Sequence, residues 1–368
     1  MKILRVTGDL YPAVVGGVGI HTHELSKWQV INGHQVTVFT NNQKKAPACE
    51  FIDGYEVKKF PVRLSLFGNS ISPDLIPAII RSRKKFDIIH AHSHLFFPTN
   101  ICVGTCLIGS APLIITNHGL ISASAPLWLN KLYTRSITKI SFEIADCVLC
   151  YTDIEKEKLH KFGVPTEKIR VIHNGVDTEL FSPRKTGGKK KYQQLLWVGR
   201  FVPGKGVNNL IEAFQKIVKD FENTRLILVG EGPLKSTIDD QIEKLGLKNN
   251  VEIYDYWNNS KLPELYNESD IFILPSLMEG VPRTILEAMA CGIPVIITEL
   301  PHLREIVNGA GLIVPQGDSE KLTCAISQLL NNKEMALQLG KAGRQKISQQ
   351  FSWQDTVEKT LNVYKEFV

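Results

Sequence analysis

The chain has 368 residues, of which 43% are hydrophobic and 22% are charged. This composition is typical of a folded globular protein and excludes a disordered, collagen-like or coiled-coil chain, and at roughly 150 residues per domain the length predicts two or three domains. The 43 Lys and Arg residues and the 37 Asp and Glu residues give a formal net charge of +6. This diffuse surplus suits an anionic small ligand or an anionic membrane surface. We expect no nucleic-acid partner.

The first half of the chain alternates short apolar strands with longer amphipathic segments. Helices are predicted at 22–32 and 126–145. Strands are predicted at 3–8, 36–40, 87–91, 112–118 and 146–152. The opening strand, MKILRVTGDL, does not have the pattern of a signal peptide, and the seven cysteines do not indicate a disulfide framework. We therefore expect a cytoplasmic protein.

One stretch, 88–130, contains no Asp, Glu, Lys or Arg. Prolines, glycines and asparagines interrupt it, so no apolar run reaches the ~20 residues that a membrane-spanning helix needs. The stretch is predicted to be buried core.

The second half repeats the same alternation. Helices are predicted at 208–220 and 234–245. Strands are predicted at 194–199, 225–230, 251–256, 270–276 and 293–298. Strands rich in Val, Ile and Leu that alternate with helices indicate parallel sheets covered on both faces. We therefore expect an α/β protein with two Rossmann-like domains.

Composition also predicts the domain boundaries. Residues 182–194 are charged, contain glycine and lack periodicity, as expected of a linker between domains 1–181 and 195–350. The last segment, 351–368, has Trp353 and Tyr364 at helical spacing with other apolar residues. We expect it to form a helix that returns to the first domain.

The segment GGVGIHT (16–22) follows the first strand and opens a helix. Glycines at this place let a phosphate approach the backbone, and the helix N-terminus supplies N–H groups. A dinucleotide-binding fingerprint needs a third glycine where Thr22 stands and an acid about 20 residues on, where Asn41 and Asn42 end the second strand. An oxidoreductase is therefore disfavoured, and a plain tight turn remains the alternative to a phosphate site.

The segment GRFVPGKG (199–206) has nearly the spacing of a P-loop, but Gly206 stands where a P-loop has the Ser or Thr that holds magnesium. Arg200 and Lys205 are suited to phosphate oxygens, and both lie at the carboxyl end of a predicted strand, where open α/β sheets bind ligands. We expect them to neutralise a diphosphate without a metal. The alternative is two solvated surface cations.

The segment LPSLMEGVPRTILEAMACGIPVIIT (274–298) predicts a strand, a loop and a helix that begins near Pro282 and ends at Gly292. Glu279 lies in the loop and Glu287 inside the helix. Carboxylates placed this way are good partners for sugar or ribose hydroxyls, while the first amides of the helix suit phosphate oxygens. The alternative for Glu287 is a solvated helix residue.

Residues 279–296, EGVPRTILEAMACGIPVI, resemble the Glu-x7-Glu signature of the retaining glycosyltransferases of family 4, which have the GT-B fold. GRFVPGKG, VGEGP (229–233), VIHNGVD (171–177) and GGVGIHTHEL (16–25) resemble other blocks of that family in the same order. The resemblance implies two Rossmann-like domains whose parallel sheets face a central cleft. It also implies a nucleoside-diphosphate sugar donor held mainly by the second domain.

The resemblance implies a role for each matching residue. Arg200 and Lys205 would bind the diphosphate, Glu279 the donor sugar and Glu287 the ribose hydroxyls. His118 in ITNHG matches the family's catalytic-site histidine. The remaining donor-binding predictions are Gly16 and Gly17 from the first domain, Gly230 and Gly232 near the base, and Arg283, Thr284 and Ile285 at the start of the signature helix.

Three histidines alternate in HAHSH, at positions 90, 92 and 94, and two-residue spacing predicts that their side chains share one strand face. No Cys or acid completes a ligand set, so we expect no metal. His92 and His94 are predicted to line the acceptor side. Cys147 and Cys150 fall within a strand pattern and are predicted to be core residues on opposite faces.

The expected reaction is transfer of a sugar to an acceptor hydroxyl, of a glycan or a lipid, with retention of anomeric configuration and no cofactor. No carboxylate pair about 5 Å apart is evident in the first domain, so we favour front-face attack over a double displacement. The alternatives are an epimerase or phosphorylase of the same fold and a non-catalytic nucleotide-sugar-binding protein.

Two basic segments bear on the acceptor. Residues 124–140 place apolar side chains beside Lys131, Arg135 and Lys139, and RSRKK (81–85) adds a second cluster. A basic amphipathic helix suits an anionic membrane, which predicts peripheral contact with the inner membrane surface. An ordinary buried helix with a solvated edge is the alternative.

Overall fold

The computed structural model describes residues 1–14, 16–42, 47–106, 109, 111–120, 125–184, 191–255, 257–258 and 261–368. The described chain folds into two compact units. Unit 1 comprises Met1–Gly175 and Trp353–Val368, and unit 2 comprises Val176–Ser352. The first crossing between the units therefore precedes the predicted linker, of which residues 185–190 lie outside the described residues.

The strands and helices are as follows. The strands are β1 Lys2–Val6, β2 Gln35–Asn42, β3 Cys49–Ile52, β4 Tyr55–Pro61, β5 Leu64–Leu66, β6 Asn69–Ile71, β7 Ile88–His92, β8 Leu113–Thr116, β9 Cys147–Cys150, β10 Ile169–Val171, β11 Gln193–Val198, β12 Thr224–Val229, β13 Val251–Tyr254, β14 Ile271–Leu274, β15 Val295–Thr298 and β16 Gly311–Val314. The helices are α1 Gly17–Ile31, α2 Leu75–Ser82, α3 Phe97–Thr105, α4 Leu127–Tyr133, α5 Lys139–Ile144, α6 Asp153–Lys161, α7 Val207–Asp220, α8 Lys235–Lys244, α9 Leu262–Glu268, α10 Arg283–Ala290, α11 Pro301–Val307, α12 Ser319–Asn331, α13 Lys333–Gln350 and α14 Trp353–Lys365.

Unit 1 is built on a large sheet, whose described strands have the order β10-β9-β8-β7-β1-β2-β4-β3, and β5 and β6 form a separate two-stranded sheet. Every pairing in the large sheet is parallel except that of β3 with β4. Apolar side chains fill both faces, because each strand of a parallel sheet is covered twice. Cys147 and Cys150 join different core clusters on β9, as predicted, and the described cysteines are free.

Unit 2 has a second sheet, whose described strands have the order β13-β12-β11-β14-β15-β16. All of its pairings are parallel. The fully buried side chains of Trp197 on β11 and Phe201 just after it stack with ring centroids 5.2 Å apart. The two sheets confirm the predicted α/β class with two Rossmann-like folds.

The last helix belongs to unit 1, as the sequence predicts. Trp353 and Tyr364 of α14 are 1% and 0% exposed. A Cβ at Gly175 would lie 2.6 Å from the Trp353 ring, so glycine is needed for this close approach. The Thr356 hydroxyl donates to the His173 carbonyl over 3.0 Å.

The single helix predicted at 126–145 is divided. A π-helical turn over Thr134–Thr138 separates α4 from α5. The Thr134 and Ser136 hydroxyls donate to the carbonyls of Asn130 and Leu132, each four residues earlier. Such bonds compete with the helical ladder and accompany its widening.

The uncharged stretch 88–130 contributes β7, α3 and β8, whose strand residues are buried. Its residues 107–108, 110 and 121–124 lie outside the described residues. Across the part of the chain that the structure describes, no helix is both long enough and apolar enough to cross a bilayer.

Candidate functional site

Three loops of unit 2 meet at the carboxyl ends of β11, β12 and β14. The Phe201 amide donates to the Glu231 carbonyl over 2.8 Å, and the Leu277 amide donates to the Gly204 carbonyl over 2.7 Å. Backbone bonds therefore hold the GRFVPGKG loop between the other two. This is the edge at which open α/β sheets bind ligands.

Glycines allow these loops to approach so closely. Gly206 has φ +69°, and a Cβ there would lie 1.9 Å from the Pro275 carbonyl oxygen. Gly230 has φ +151°, and a Cβ there would lie 1.7 Å from the Gly199 carbonyl oxygen. Gly230 and Gly232 were predicted to lie near a bound base, but the loop packing already accounts for both, since a Cβ at Gly232 would lie 2.3 Å from the Phe201 carbonyl oxygen.

Lys205 and Glu279 form an ion pair across two of the loops. Lys205 Nζ lies 2.6 and 2.8 Å from the two carboxylate oxygens of Glu279. The Ser276 hydroxyl donates to Glu279 Oε1 over 2.7 Å. The Glu279 side chain is 8% exposed and that of Lys205 is 25% exposed. The diphosphate and sugar groups predicted for these two residues would therefore meet a cation and a carboxylate already in contact.

Glu287 is 3% exposed and lies within α10. Its Oε1 is 3.2 Å from Arg283 Nη2, and its Oε2 accepts a 3.0 Å bond from the Tyr266 hydroxyl. Burial, followed by the Glu287 charge, raises the Tyr266 pKa well above its usual value. The solvated-helix alternative for Glu287 is therefore wrong. Among the described residues, Arg283 Nε and Nη1 have no hydrogen-bond partner although both are buried.

The remaining predicted donor residues of unit 2 are Arg200, Thr284 and Ile285. Arg200 is exposed just after β11. Thr284 is half-buried in the first turn of α10. The Ile285 amide was predicted to face a phosphate, but it donates to the Pro282 carbonyl over 3.2 Å. Fewer amides than expected are thus open at this helix end.

In unit 1 the glycine turn precedes α1. Gly16 is the N-cap residue and Gly17 the first helical residue. A Cβ at either position would have no atom within 4 Å. Packing within the protein therefore does not require these two glycines, unlike those of unit 2, and the space before the backbone is open to a ligand.

His118 follows β8, is half-buried, and belongs to a group of rings whose other members, His21, His92 and Tyr151, are buried. Its Nε2 lies 3.2 Å from His92 Nδ1, and its Nδ1 lies 3.0 Å from the Tyr151 hydroxyl. The His21 ring is 5.3 Å from that of His118, and His21 Nδ1 lies 2.9 Å from Asn174 Oδ1. Burial is the main cause that lowers the His118 pKa well below its usual value. His118 is therefore neutral near pH 7.

The HAHSH histidines do not all share one face. His90 and His92 on β7 stack with ring centroids 4.4 Å apart, as predicted. The prediction is wrong for His94, because Ser93 has φ +62° and turns the chain out of the strand. The His94 ring packs 4.8 Å from Phe142, and burial lowers its pKa to about 3. His92 and His94 are fully buried, and their acceptor role stays a prediction.

His21, His92 and His118 have the spacing of a metal site, with one nitrogen from each within 4.8 Å of the others. Metal-bound imidazole normally donates its second N–H to a carboxylate or carbonyl. His92 faces His118 with Nδ1, and its second nitrogen, Nε2, lies 3.3 Å from Arg5 Nη1. Arg5 is a donor only. The spacing fits an ion, but the hydrogen bonding of His92 does not.

A separate cavity of about 320 Å³ lies in unit 1 beside the glycine turn. Its polar lining includes Thr40 and Asn41 at the end of β2, and Lys59 paired with Glu50 over 2.5 Å. The Thr40 hydroxyl is buried and has no partner among the described residues. Tyr11 is among the residues that complete the wall.

Sequence patterns missed several residues of these groups. Tyr266 precedes its partner by 21 residues on another helix, and Arg5 lies between apolar residues of a strand. Neither carries a local signal. Ser276 stands at the end of the predicted strand 270–276, but its bond to Glu279 depends on the conformation of the loop that follows.

Comparisons with known proteins identify the family and the fold of the chain. A sequence model described as "Glycosyltransferase Family 4" matches residues 15–180, and one described as "Glycosyl transferases group 1" matches residues 179–346. An uncharacterised glycosyltransferase of Methanocaldococcus jannaschii is 26% identical over 99% of this chain and 98% of its own.

Solved structures share the fold. Sucrose-phosphate synthase from Thermosynechococcus elongatus superposes with a TM-score of 0.83 at 22% identity, covering 99% of this chain and 98% of its own. Anabaena HepE in complex with UDP superposes with a TM-score of 0.81 at 20% identity, covering 100% of each chain. The chain belongs to the glycosyltransferases of group 1 and family 4, enzymes with the GT-B fold.

Proposed function

We propose that this glycosyltransferase moves a sugar from a nucleoside-diphosphate sugar to an acceptor hydroxyl and retains the anomeric configuration. The observation that carries the proposal is the Lys205–Glu279 pair at the carboxyl ends of the unit 2 strands. A cation there suits a diphosphate, and an adjacent carboxylate suits sugar hydroxyls. The Anabaena HepE structure of the same fold was solved with UDP.

Arg283 and Glu287 support the donor assignment. The Arg283 guanidinium keeps two buried nitrogens without partners among the described residues. Unsatisfied buried donors of this kind cost free energy unless a ligand or water accepts from them. Donor oxygens at this place would accept those bonds, while Glu287 Oε1 stays paired with Nη2.

We propose front-face attack as the mechanism. The bond between the sugar C1 and the leaving phosphate oxygen breaks, the acceptor oxygen bonds to C1 on the same face, and the leaving phosphate takes the acceptor's proton. The described contacts of His118 are to His92, His21 and Tyr151, none of which is a carboxyl that could act as a nucleophile. Lys205 and Arg200 would stabilise the charge that develops on the phosphate.

We also propose that no metal takes part. Gly206 occupies the position of a P-loop's magnesium ligand, and the Arg5 contact of His92 opposes metal binding by the histidines. Activity should therefore persist in EDTA, whereas a strict metal requirement would overturn this part of the proposal.

The donor is identified by a binding and turnover screen. Thermal shifts with UDP-, GDP- and ADP-sugars should show stabilisation by at least one donor class, because a ligand that binds the folded state raises Tm. The stabilising donor should then be hydrolysed slowly without acceptor. Stabilisation by none of the three would contradict the proposal.

We propose that the 320 Å³ cavity receives a neutral, hydroxyl-bearing part of the acceptor. Its volume is at the lower end for ligand pockets. The Lys59 charge is neutralised by Glu50, and the Thr40 hydroxyl is buried without a described partner. Once an acceptor is known, Thr40→Val should raise its KM several-fold with the donor KM unchanged; equal changes in both would contradict this assignment.

We further propose peripheral contact with an anionic membrane at the inner surface. In α4, Trp128 and Leu132 are 68% and 61% exposed, beside the exposed Lys131. Ile140 in α5 is 50% exposed. Apolar side chains exposed next to basic ones suit an anionic interface. Flotation with anionic liposomes should carry the protein and a Trp128→Ser variant should float less; no flotation at low salt would remove the membrane proposal.

A further inference from the structure

Arg5 is a buried cation in the middle of the unit 1 sheet. It lies on β1 between β2 and β7 and is 0% exposed. Its Nη2 donates to Gln29 Oε1, and its Nη1 lies 3.3 Å from His92 Nε2. Burial lowers the pKa of Arg5, and Tyr364 and Tyr55 raise it. No carboxylate is among the groups that raise it. Neutral groups therefore solvate this guanidinium.

The chemistry of arginine fixes the proton on His92. A guanidinium has five N–H donors and no acceptor, so His92 Nε2 must accept the bond from Arg5. Burial and the Arg5 charge both lower the His92 pKa, which keeps the ring neutral. A neutral imidazole with an accepting Nε2 carries its proton on Nδ1.

The proton on His92 in turn determines the position of the proton on His118. His92 Nδ1 lies 3.2 Å from His118 Nε2. With the proton on His92 Nδ1, His118 Nε2 accepts, and the single proton of the neutral His118 ring lies on Nδ1. That nitrogen lies 3.0 Å from the Tyr151 hydroxyl, which is farther from His118 Nε2, at 3.4 Å. Arg5, through its bond to His92, therefore determines which nitrogen of His118 carries the proton.

We propose that Arg5 is a positioning residue that holds His118 as the neutral Nδ1–H tautomer through His92. The role of His118 in sugar transfer rests on the proposed function; the tautomer does not. His118 then offers an N–H donor at the Tyr151 side and no free base, because Nε2 is already occupied by His92. An oxygen of a bound sugar that replaces the Tyr151 contact would accept from His118, and the leaving phosphate remains the proton acceptor.

The test is nitrogen NMR of the full chain labelled with ¹⁵N-histidine, with His118 signals assigned by their loss in His118→Asn. The wild type should show protonated Nδ1 and unprotonated Nε2 for both His92 and His118 at pH 7.5. A wild-type His118 protonated on Nε2, or on both nitrogens, would overturn the proposal without any variant having to fold.

Arg5→Met removes the donor and should move His92 toward the Nε2–H form and His118 into a mixture of tautomers. Arg5→Lys keeps a cationic donor and should retain more of the wild-type signals. Arg83→Met is the matched control, because Arg83 is a second buried arginine of unit 1 whose described bonds go to Cys102, Thr105, Cys106 and Ala111. Unchanged tautomers in folded Arg5→Met would contradict the proposal.

Turnover separates this inference from the proposed function. We expect Arg5→Met to lower kcat by roughly 10-fold or more, because a histidine in the wrong tautomer loses catalytic power, with partial rescue in Arg5→Lys. A tautomer shift with unchanged sugar transfer would support Arg5 as the determinant of the tautomer and refute the role proposed for His118.

Discussion

At the scale of single residues, the proposed donor site consists of pairs of side chains that only the fold brings together. The sequence identifies Lys205, Glu279 and Glu287 by their motifs, but it assigns each to a different part of the donor. The structure pairs Lys205 with Glu279 and Glu287 with Arg283. Such pairing depends on loop conformation and helical register, which local patterns specify only in part.

Replacement of Lys205 by Ala should lower kcat/KM by roughly 100-fold, because a preorganised cation that stabilises developing phosphate charge contributes about this much. Steady-state kinetics with the donor found by the screen measures the effect. Lys248→Ala is the control, since Lys248 is a solvent-exposed lysine of the same unit that also pairs with a glutamate. A Lys205→Ala enzyme within twofold of wild type would refute the assignment.

Tyr266→Phe should destabilise the protein by about 1–3 kcal/mol, because Glu287 Oε2 would lose its hydrogen bond in a buried site. Denaturant unfolding measures the free energy. Tyr254→Phe removes a hydroxyl bonded to Glu252 at an exposed position and should change stability by no more than about 0.5 kcal/mol. Equal effects in the two variants would show that the Tyr266–Glu287 hydrogen bond does not stabilise the folded state.

At the scale of elements, most strands of the two large sheets could be predicted, whereas the shorter or partly exposed strands could not. The predicted strands all appear, with ends that differ by a few residues, although residue 256 of the predicted strand 251–256 lies outside the described residues. β3 to β6, β10 and β16 were missed because they are short, partly exposed or mixed in character. His94 left its predicted face through one positive φ at Ser93, a feature with no sequence pattern.

The glycines divide into two groups with opposite expected behaviour. Gly230→Ala should unfold unit 2 or strongly lower its Tm, because a Cβ there would lie 1.7 Å from a backbone oxygen. Gly17→Ala meets open space at the start of a helix and should leave Tm unchanged or slightly higher. The same Gly17→Ala variant should raise the donor KM, without lowering Tm, if the donor approaches this turn. A fall in the Gly17→Ala Tm would contradict the structural distinction.

At the scale of the whole molecule, composition and alternation sufficed for two Rossmann-like folds and the returning helix. The position of the crossing between the units could not be predicted. The chain passes from unit 1 to unit 2 at Gly175–Val176, before the sequence becomes charged and aperiodic as in the predicted linker. The buried histidine group likewise depends on the sheet order, which places β7 beside β1 and β8. No local pattern specifies that order.

The buried histidines should make unit 1 sensitive to acid. Burial lowers the pKa of His90, His92 and His118 in the folded state, so the unfolded state binds more protons below its usual histidine pKa of about 6.5. The contribution of these histidines to the free energy of unfolding should be fully present above that pH. Below it, the free energy of unfolding should fall by up to about 1.4 kcal/mol per pH unit for each such histidine. Denaturant unfolding at pH 7.5, 6.5 and 5.5 measures this slope.

His160→Gln is the control for that slope, because His160 lies on the exposed surface of the same unit. His90→Gln should reduce the dependence of stability on pH by more than His160→Gln does. A wild-type stability that is level between pH 7.5 and 5.5 would show that the buried rings titrate as they do in water.

The most direct test of the central claim is proton NMR of the glycoside formed from an α-configured nucleoside-diphosphate sugar in the presence of EDTA. We predict that the new glycosidic bond has the same α configuration as the donor and that the nucleoside diphosphate is released in equal amount. A β-linked product, or transfer that stops when metal is removed, would contradict the account.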